Sequence, residues 1–228
     1  MVVLSFDVYG TLIDTKGVFD EIVSIVKDEK LALHVTDLWR QKQLEYSFRR
    51  ALMQNYVDFS VCTKQALEYV NNYFNLNISE DEMKILLEKY KNLPPFDDVI
   101  SSLNELMNLE VKMYAFSNGK PEDLNILLNN AGIIDYFEGI ISVDDIKSFK
   151  PNPAVYAHFL RSSKAEREKA FMISANPFDV IGAISAGMSA VWVNRGGKII
   201  FDPWELKPTF TINSLRELPI LLKDNYSC

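Results

Sequence analysis

Short runs of apolar residues recur along the chain, at Val2–Phe6, Val111–Phe116, Gly139–Val143, Ala170–Ile173 and Ser189–Val193. Each is too short for a stable helix and rich in Val, Ile, Phe or Met, the pattern of strands buried on both faces. Between the later runs, Glu122–Asn130, Pro153–Ser162 and Phe178–Ala186 carry apolar residues at helical spacing. Gly132 and Gly187 stand where helix C-terminal caps are expected. Strand–helix alternation of this kind predicts an α/β fold, a Rossmann-like parallel sheet flanked by helices through right-handed crossovers.

The alternation breaks once. From about Thr15 to Leu93 the pattern is amphipathic and helical, with segments at Gly17–Asp28, Thr36–Met53, Thr63–Phe74 and Ser79–Lys91. Ser79-Glu80-Asp81-Glu82 has the form of a capping box. The stretch is too long for one crossover helix, so it reads as a helical cap subdomain, residues 15–93, inserted after the first strand. Residues 1–14 and 94–228 then form the Rossmann-like core. Pro94-Pro95 marks the return, because consecutive prolines end a helix and stiffen the chain.

Composition narrows the function classes. The 228 residues are 48% hydrophobic with a net charge of −7, and no Lys/Arg run appears. That argues against a nucleic-acid partner, and an anionic substrate would need a local positive patch. No apolar run approaches membrane-spanning length, and the N-terminus reads as a strand instead of a signal peptide. Cys62 and Cys228 lie far apart without metal-ligand spacing, which favours a reducing cytoplasm over a disulfide. His34 and His158 have no ligand partner at useful spacing, so neither a metal nor another cofactor is expected. Asn194-Arg195-Gly196-Gly197 reads as a turn after the fifth strand.

The informative residues follow the strands. Asp7 ends the first, Ser117-Asn118-Gly119 the second, and Ser174-Ala175-Asn176-Pro177-Phe178-Asp179 begins at the end of the fourth. Lys150 follows the third, within Lys147-Ser148-Phe149-Lys150-Pro151. In a parallel sheet all these ends open onto one edge, where ligands bind at the topological switch point. Each residue alone has a bland explanation as a turn or helix cap, but four strand ends converging polar groups on one edge is not bland. Lys150 beside Asp7 would stabilise the ionised carboxylate. Ser117 and the N–H groups of the next helix would form an anion site. Asp179 and Asn176 would orient and deprotonate a water. A carboxylate nucleophile, an anion cradle and a water-activating acid together describe covalent catalysis.

Asp7-Val8-Tyr9-Gly10-Thr11-Leu12, Phe116-Ser117-Asn118-Gly119, Lys150-Pro151 and Ser174–Asp179 resemble, in order, the four motifs of the haloacid dehalogenase superfamily. With Trp39-Arg40-Gln41-Lys42-Gln43-Leu44-Glu45-Tyr46 in the insert, the chain resembles its L-2-haloacid dehalogenases. The resemblance implies that Asp7 displaces halide from a short 2-haloalkanoate and is left as an ester. Water activated by Asp179, with Lys150, Asn176 and Ser174, would hydrolyse that ester to an inverted 2-hydroxy acid. Arg40 and Asn118 would receive the halide. Ser117 and backbone N–H groups at Val8 and Tyr9 would hold the substrate carboxylate. Tyr9, Gln41, Leu44, Phe59 and Phe178 would line the pocket, while Thr11 and Tyr156 would support the nucleophile and Lys150. Related dehalogenases are commonly dimers, and the aromatic-rich cap offers a surface for a homodimer.

Phosphatases of the superfamily need a second Asp two positions past the nucleophile and an acidic Mg²⁺ ligand in the fourth motif. Here those positions hold Tyr9 and Ser174. Halide leaves as a stable anion and requires no acid, so the replacements fit metal-independent dehalogenation. A Mg²⁺-dependent phosphatase and a non-catalytic member of the fold remain the alternatives.

Overall fold

A computed structural model describes residues 1–197 and 199–226; Cys228 lies outside the described residues. Six strands form one parallel sheet in the order β3-β2-β1-β4-β5-β6. They are β1 (Val2–Phe6), β2 (Val111–Ser117), β3 (Gly139–Ser142), β4 (Ala170–Ser174), β5 (Ser189–Val193) and β6 (Phe210–Ile212). The chain runs outward from β1 through β2 to β3, then returns to place β4 on the other side of β1. The switch point therefore lies between β1 and its two neighbours, at the end of the strand that delivers Asp7.

Both faces of the sheet are covered, which is why its strands read as unbroken apolar runs. Leu4, Phe6 and Ile173 point into one hydrophobic cluster, and Val3, Met172 and Trp192 into the other. Helices α6 (Pro121–Asn130), α7 (Pro153–Ser163) and α8 (Pro177–Ser185) supply the crossovers. Two further helices, α5 (Val99–Leu106) and α9 (Leu218–Asn225), and the short edge strand β6 were not legible in the pattern. Each has ten residues or fewer, too little periodicity to stand out from its flanks.

Between β1 and β2 lie α1 (Lys16–Val26), α2 (Glu29–Met53), α3 (Phe59–Phe74) and α4 (Glu80–Lys89). The Ser79 capping box is formed: Glu82 N–H donates to Ser79 Oγ, and the Ser79 N–H donates to the Glu82 carboxylate. Helix α2 starts at Glu29, earlier than its pattern suggests, because Asp28 accepts the Leu31 N–H at 3.0 Å and nucleates the turn. Val18, Ile22, Trp39 and Leu67 of these helices belong to the same continuous cluster as Leu4 and Phe6. No helix of the described residues is long and apolar enough to cross a membrane.

The outgoing and returning chains are stitched side by side. Asp14 N–H donates to Pro94 O at 2.9 Å and Phe96 N–H to Leu12 O at 3.0 Å. Arg195 locks both. Its Nη2 donates to Thr11 O and to Asp98 Oδ1, each at 2.8 Å, and its guanidinium stacks 4.0 Å over the Phe96 ring. Asp98 also accepts the Leu215 N–H at 2.9 Å and the Ser214 hydroxyl at 3.1 Å. Residues 195–197 do make a turn, but Arg195 is in addition the clamp that ties the end of β5 to the chain segments leaving β1 and returning before α5.

Burial pushes the Asp98 carboxyl up, but its bonds from Arg195, Leu215 and Ser214 outweigh that and hold it below the usual carboxylate range. A depressed carboxylate contributes stability that is present above the unfolded value of about 3.9 and lost as pH falls through the folded one. Asp98→Asn strands the Arg195 charge and costs about 3 kcal/mol at pH 7. In thermal unfolding the gap between parent and variant closes towards pH 3; a gap independent of pH contradicts this role.

Candidate active site

The site assembles around one ammonium group. Lys150 Nζ lies 3.3 Å from Asp7 Oδ1, 2.8 Å from Asp179 Oδ2 and 2.8 Å from the carbonyl oxygen of Phe116. Its side chain is 2% exposed, and its backbone N–H is held by Asn118 Oδ1 at 3.0 Å. Three strand ends thus meet on Lys150.

The two oxygens of Asp7 are treated differently. Oδ2 accepts from Asn176 Nδ2 at 2.7 Å, Thr11 Oγ1 at 2.9 Å and Ser174 Oγ at 3.4 Å. Oδ1 has a single contact, to Lys150 at 3.3 Å. The turn beyond Asp7 depends on Gly10, whose φ of +80° is poorly accessible to other residues. That turn folds Thr11 back onto Asp7, where the Ala175 N–H fixes its hydroxyl oxygen at 2.9 Å.

Asp179, on the first turn of α8, is fully buried. Burial pushes its carboxyl above the usual range; Lys150 opposes the rise and the Asp7 charge adds to it. Tyr156 of α7 donates to Asp179 Oδ1 at 2.8 Å. Helix α8 comes this close because Gly182 has no side chain: a Cβ there would lie 2.8 Å from Tyr156 Cε2 and from Pro151 Cβ. Burial keeps the Tyr156 phenol well above its ordinary range, so it stays a neutral donor.

Two adjoining cavities lie between the sheet edge and the insert. The first, about 200 Å³, is lined by Tyr9, Gly10, Arg40, Gln43, Phe59, Tyr90 and Asn176 among others. The second, about 530 Å³, shares Tyr9, Gln43, Phe59 and Tyr90 and extends past Gly119 and Lys120. Arg40 Nη2 reaches Asn176 Oδ1 at 3.4 Å, joining α2 to the nucleophile's own partner. Asp7 sits behind this contact with its side chain 12% exposed. Burial holds the Tyr9 phenol well above its ordinary range. Position 9 therefore offers a neutral group where a second carboxylic acid would stand in a phosphatase.

Asp7, Thr11, Lys150, Ser174, Asn176 and Asp179 thus form one bonded cluster, with Arg40, Tyr9 and Phe59 facing it across the cavity. Ser117 is buried at the same edge, where its Oγ accepts the Gly119 N–H at 3.2 Å. Several sequence expectations need correction. Gln41 is exposed on the outer face of α2, and the helical phase brings Gln43 inward instead. Leu44 is only half-buried and lines neither cavity. Phe178 packs edge-on against Phe48, 5.1 Å away, and likewise lines neither. Tyr156 touches Asp179, not the cavities. Asn118 braces the Lys150 backbone. Gln43 and Tyr90 were missed. The spacing of Gln43, three residues from Arg40 on one helix face, was the available signal; Tyr90 had none. Among the described residues no cluster of three or more His, Cys, Asp or Glu is arranged to hold a metal ion.

With this fold and this cluster of motif residues, the chain belongs to the haloacid dehalogenase-like hydrolase family, which matches residues 4–193. It is 36% identical over 217 residues to (S)-2-haloacid dehalogenase 2 of Pseudomonas sp. (strain CBS-3), covering 95% of this chain and 93% of that one. It is 36% identical over 209 residues to haloacetate dehalogenase H-2 of Moraxella sp. (strain B), covering 92% of each. The solved structure of L-2-haloacid dehalogenase from Xanthobacter autotrophicus with chloropropionic acid covalently bound superposes with a TM-score of 0.89 at 32% identity. That match covers 99% of this chain and 100% of the other.

Removing the shared cation exposes two carboxylates to each other in a buried site. Lys150→Met destabilises the fold by about 3–5 kcal/mol at neutral pH, and acidification narrows the deficit as the Asp179 carboxyl, which burial raises, protonates. Thermal unfolding at pH 7 and pH 5 reads this; a deficit that widens at pH 5 contradicts it.

Proposed function

We propose that this protein hydrolyses short-chain L-2-haloalkanoic acids to D-2-hydroxy acids through an ester on Asp7. The observation that carries the reading is the asymmetric binding of the Asp7 carboxylate. Oδ1, with one contact, attacks carbon two of the substrate in line, and the halide leaves with the bonding pair. Oδ2 becomes the ester carbonyl oxygen, already facing Asn176, Thr11 and Ser174. These donors stabilise the oxyanion that forms when water adds to the Asp7 carbonyl carbon. Asp179 takes the proton of that water, and its raised affinity for protons makes it the stronger base. Collapse of the adduct expels the hydroxy-acid oxygen, which takes the proton held by Asp179, and Asp7 returns to its carboxylate by releasing the second water proton to solvent.

In this reading Arg40 receives the halide, and Ser117 with the neighbouring N–H groups holds the substrate carboxylate. Helices α1 to α4 act as a cap over the sheet edge. The chemistry is metal independent. Lys150 already bridges the two carboxylates, and the other groups on Asp7 are neutral hydroxyls and an amide, a poor donor set for Mg²⁺. Exposed Tyr69 and Tyr73 on α3 support a homodimer, and the buried free thiol of Cys62 is consistent with a reducing cytoplasm.

L-2-Chloropropionate incubated with the protein and EDTA yields chloride and D-lactate, while the D enantiomer is left intact. No halide from any short haloacid, or Mg²⁺-stimulated cleavage of phosphate esters, overturns the proposal.

Two variants separate the half-reactions. Asp7→Asn abolishes turnover. Asp179→Asn slows ester hydrolysis by about 10²–10⁴-fold, so the substrate adduct on Asp7 accumulates and intact-protein mass spectrometry detects it. An Asp179→Asn protein that turns over with no adduct contradicts the role of that residue.

Because burial raises the Asp179 carboxyl, it becomes protonated, and useless as a base, at a higher pH than an exposed Asp near 3.9. The acid limb of kcat, followed by halide release, therefore lies above pH 4, and adduct accumulates along it. Undiminished kcat at pH 4 counts against the assignment.

A further inference from the structure

Arg40 is a half-buried guanidinium with an unusual set of partners. Its Nη1 donates to Gln43 Oε1 at 2.6 Å and its Nη2 to Asn176 Oδ1 at 3.4 Å. Both acceptors are uncharged amides, and among the described residues Arg40 forms no ion pair. A buried arginine is ordinarily neutralised by a carboxylate, which binds its fork with charge assistance. Here the hydrogen bonds are made without a bonded carboxylate, and the Asp7 charge acts on the guanidinium only from a distance. The guanidinium faces the cavity of about 200 Å³ that runs from Tyr9 to Asn176.

The orientation of Gln43 is dictated by its other contact. Thr63 donates its one hydroxyl proton to Phe59 O at 2.9 Å, so towards Gln43 it can only accept. Gln43 Nε2 meets that lone pair at 2.7 Å, which forces Oε1 to point at Arg40. Trp39 Nε1 bonds the Thr63 carbonyl at 2.9 Å and holds α2 and α3 in this register. Gln43 is 1% exposed, so no solvent competes for either end.

We infer that Gln43 is a positioning residue: its neutral carboxamide, fixed by Thr63, aims Arg40 into the cavity while leaving the guanidinium charge free for an anion, the departing halide. That the anion is halide rests on the function proposed above; the aim of Arg40 and its unpaired charge rest on geometry. A glutamate at this position would pair with Arg40 and cancel the charge that the leaving group needs, while losing the bond to Thr63, which has no proton left to donate. An apolar residue of equal length would keep the charge and lose the aim.

The test compares the parent with Gln43→Glu, Gln43→Met and Thr63→Val, using bromide as the probe in direct titration and as a product inhibitor. The parent binds bromide. Gln43→Met loses about tenfold in bromide affinity, and kcat falls while KM for L-2-chloropropionate changes little. Gln43→Glu loses more bromide affinity than Gln43→Met, because its carboxylate neutralises the guanidinium that Gln43→Met leaves charged. Thr63→Val gives a smaller loss in the same direction. Equal bromide affinity in parent and Gln43→Glu overturns the inference, as does equal loss in Gln43→Glu and Gln43→Met, which marks a merely structural role. A parent that binds no bromide overturns it too. A parent that binds bromide with this Gln43 dependence yet releases no halide from haloacids leaves the inference standing and removes the proposed reaction.

Discussion

A single buried ammonium shared between two carboxylates sets the terms for this molecule. Taking Lys150 out of water is costly unless its charge and all three N–H bonds are matched. Asp7, Asp179 and the Phe116 carbonyl supply that match from the end of β1, the first turn of α8 and the end of β2. These three places are remote in sequence, and only a parallel sheet with its switch point at β1 brings them together. The backbone answers to the same demand: Gly10 turns so that Thr11 can reach Asp7, and Gly182 is bare so that Tyr156 can reach Asp179.

Around that group the charges are partitioned by need. The carboxylates have a cation close by, and the one partly exposed side of the cluster faces Arg40, whose partners are amides. Position 9 presents a phenol that burial keeps neutral, and position 174 a hydroxyl. A reaction that expels an alkoxide from phosphorus would want an acid and a divalent cation at those positions. One that expels halide from carbon wants neither, and it benefits from an unpaired positive charge where the halide emerges.

Much of this was legible in the sequence for a simple reason. A charged or polar residue ending an apolar run is costly to bury, so Asp7, Ser117 and Ser174 mark the sheet edge in the sequence itself. What stayed hidden depended on rotation or distance. Gln41 and Gln43 differ by two residues on one helix, and the phase of α2 that turns Gln43 inward is set by packing of Trp39 and Val35 against the core. The family resemblance implies a pocket wall at Phe178, yet helical geometry sends it towards Phe48. Arg195 read as part of a turn, since nothing local reveals an ion pair with a residue 97 positions away. Strand β6 has three residues and joins the sheet only through β5, leaving no periodicity to detect.

Covalent participation of Asp7 is the claim on which all of this rests, and oxygen isotope tracing in a single turnover tests it. With protein in excess over L-2-chloropropionate in ¹⁸O-water, the account predicts lactate without the heavy isotope and one ¹⁸O atom in the peptide containing Asp7. Lactate that carries ¹⁸O from its first turnover, with the Asp7 peptide unlabelled, would mean that water attacks the substrate directly, and the account would be wrong.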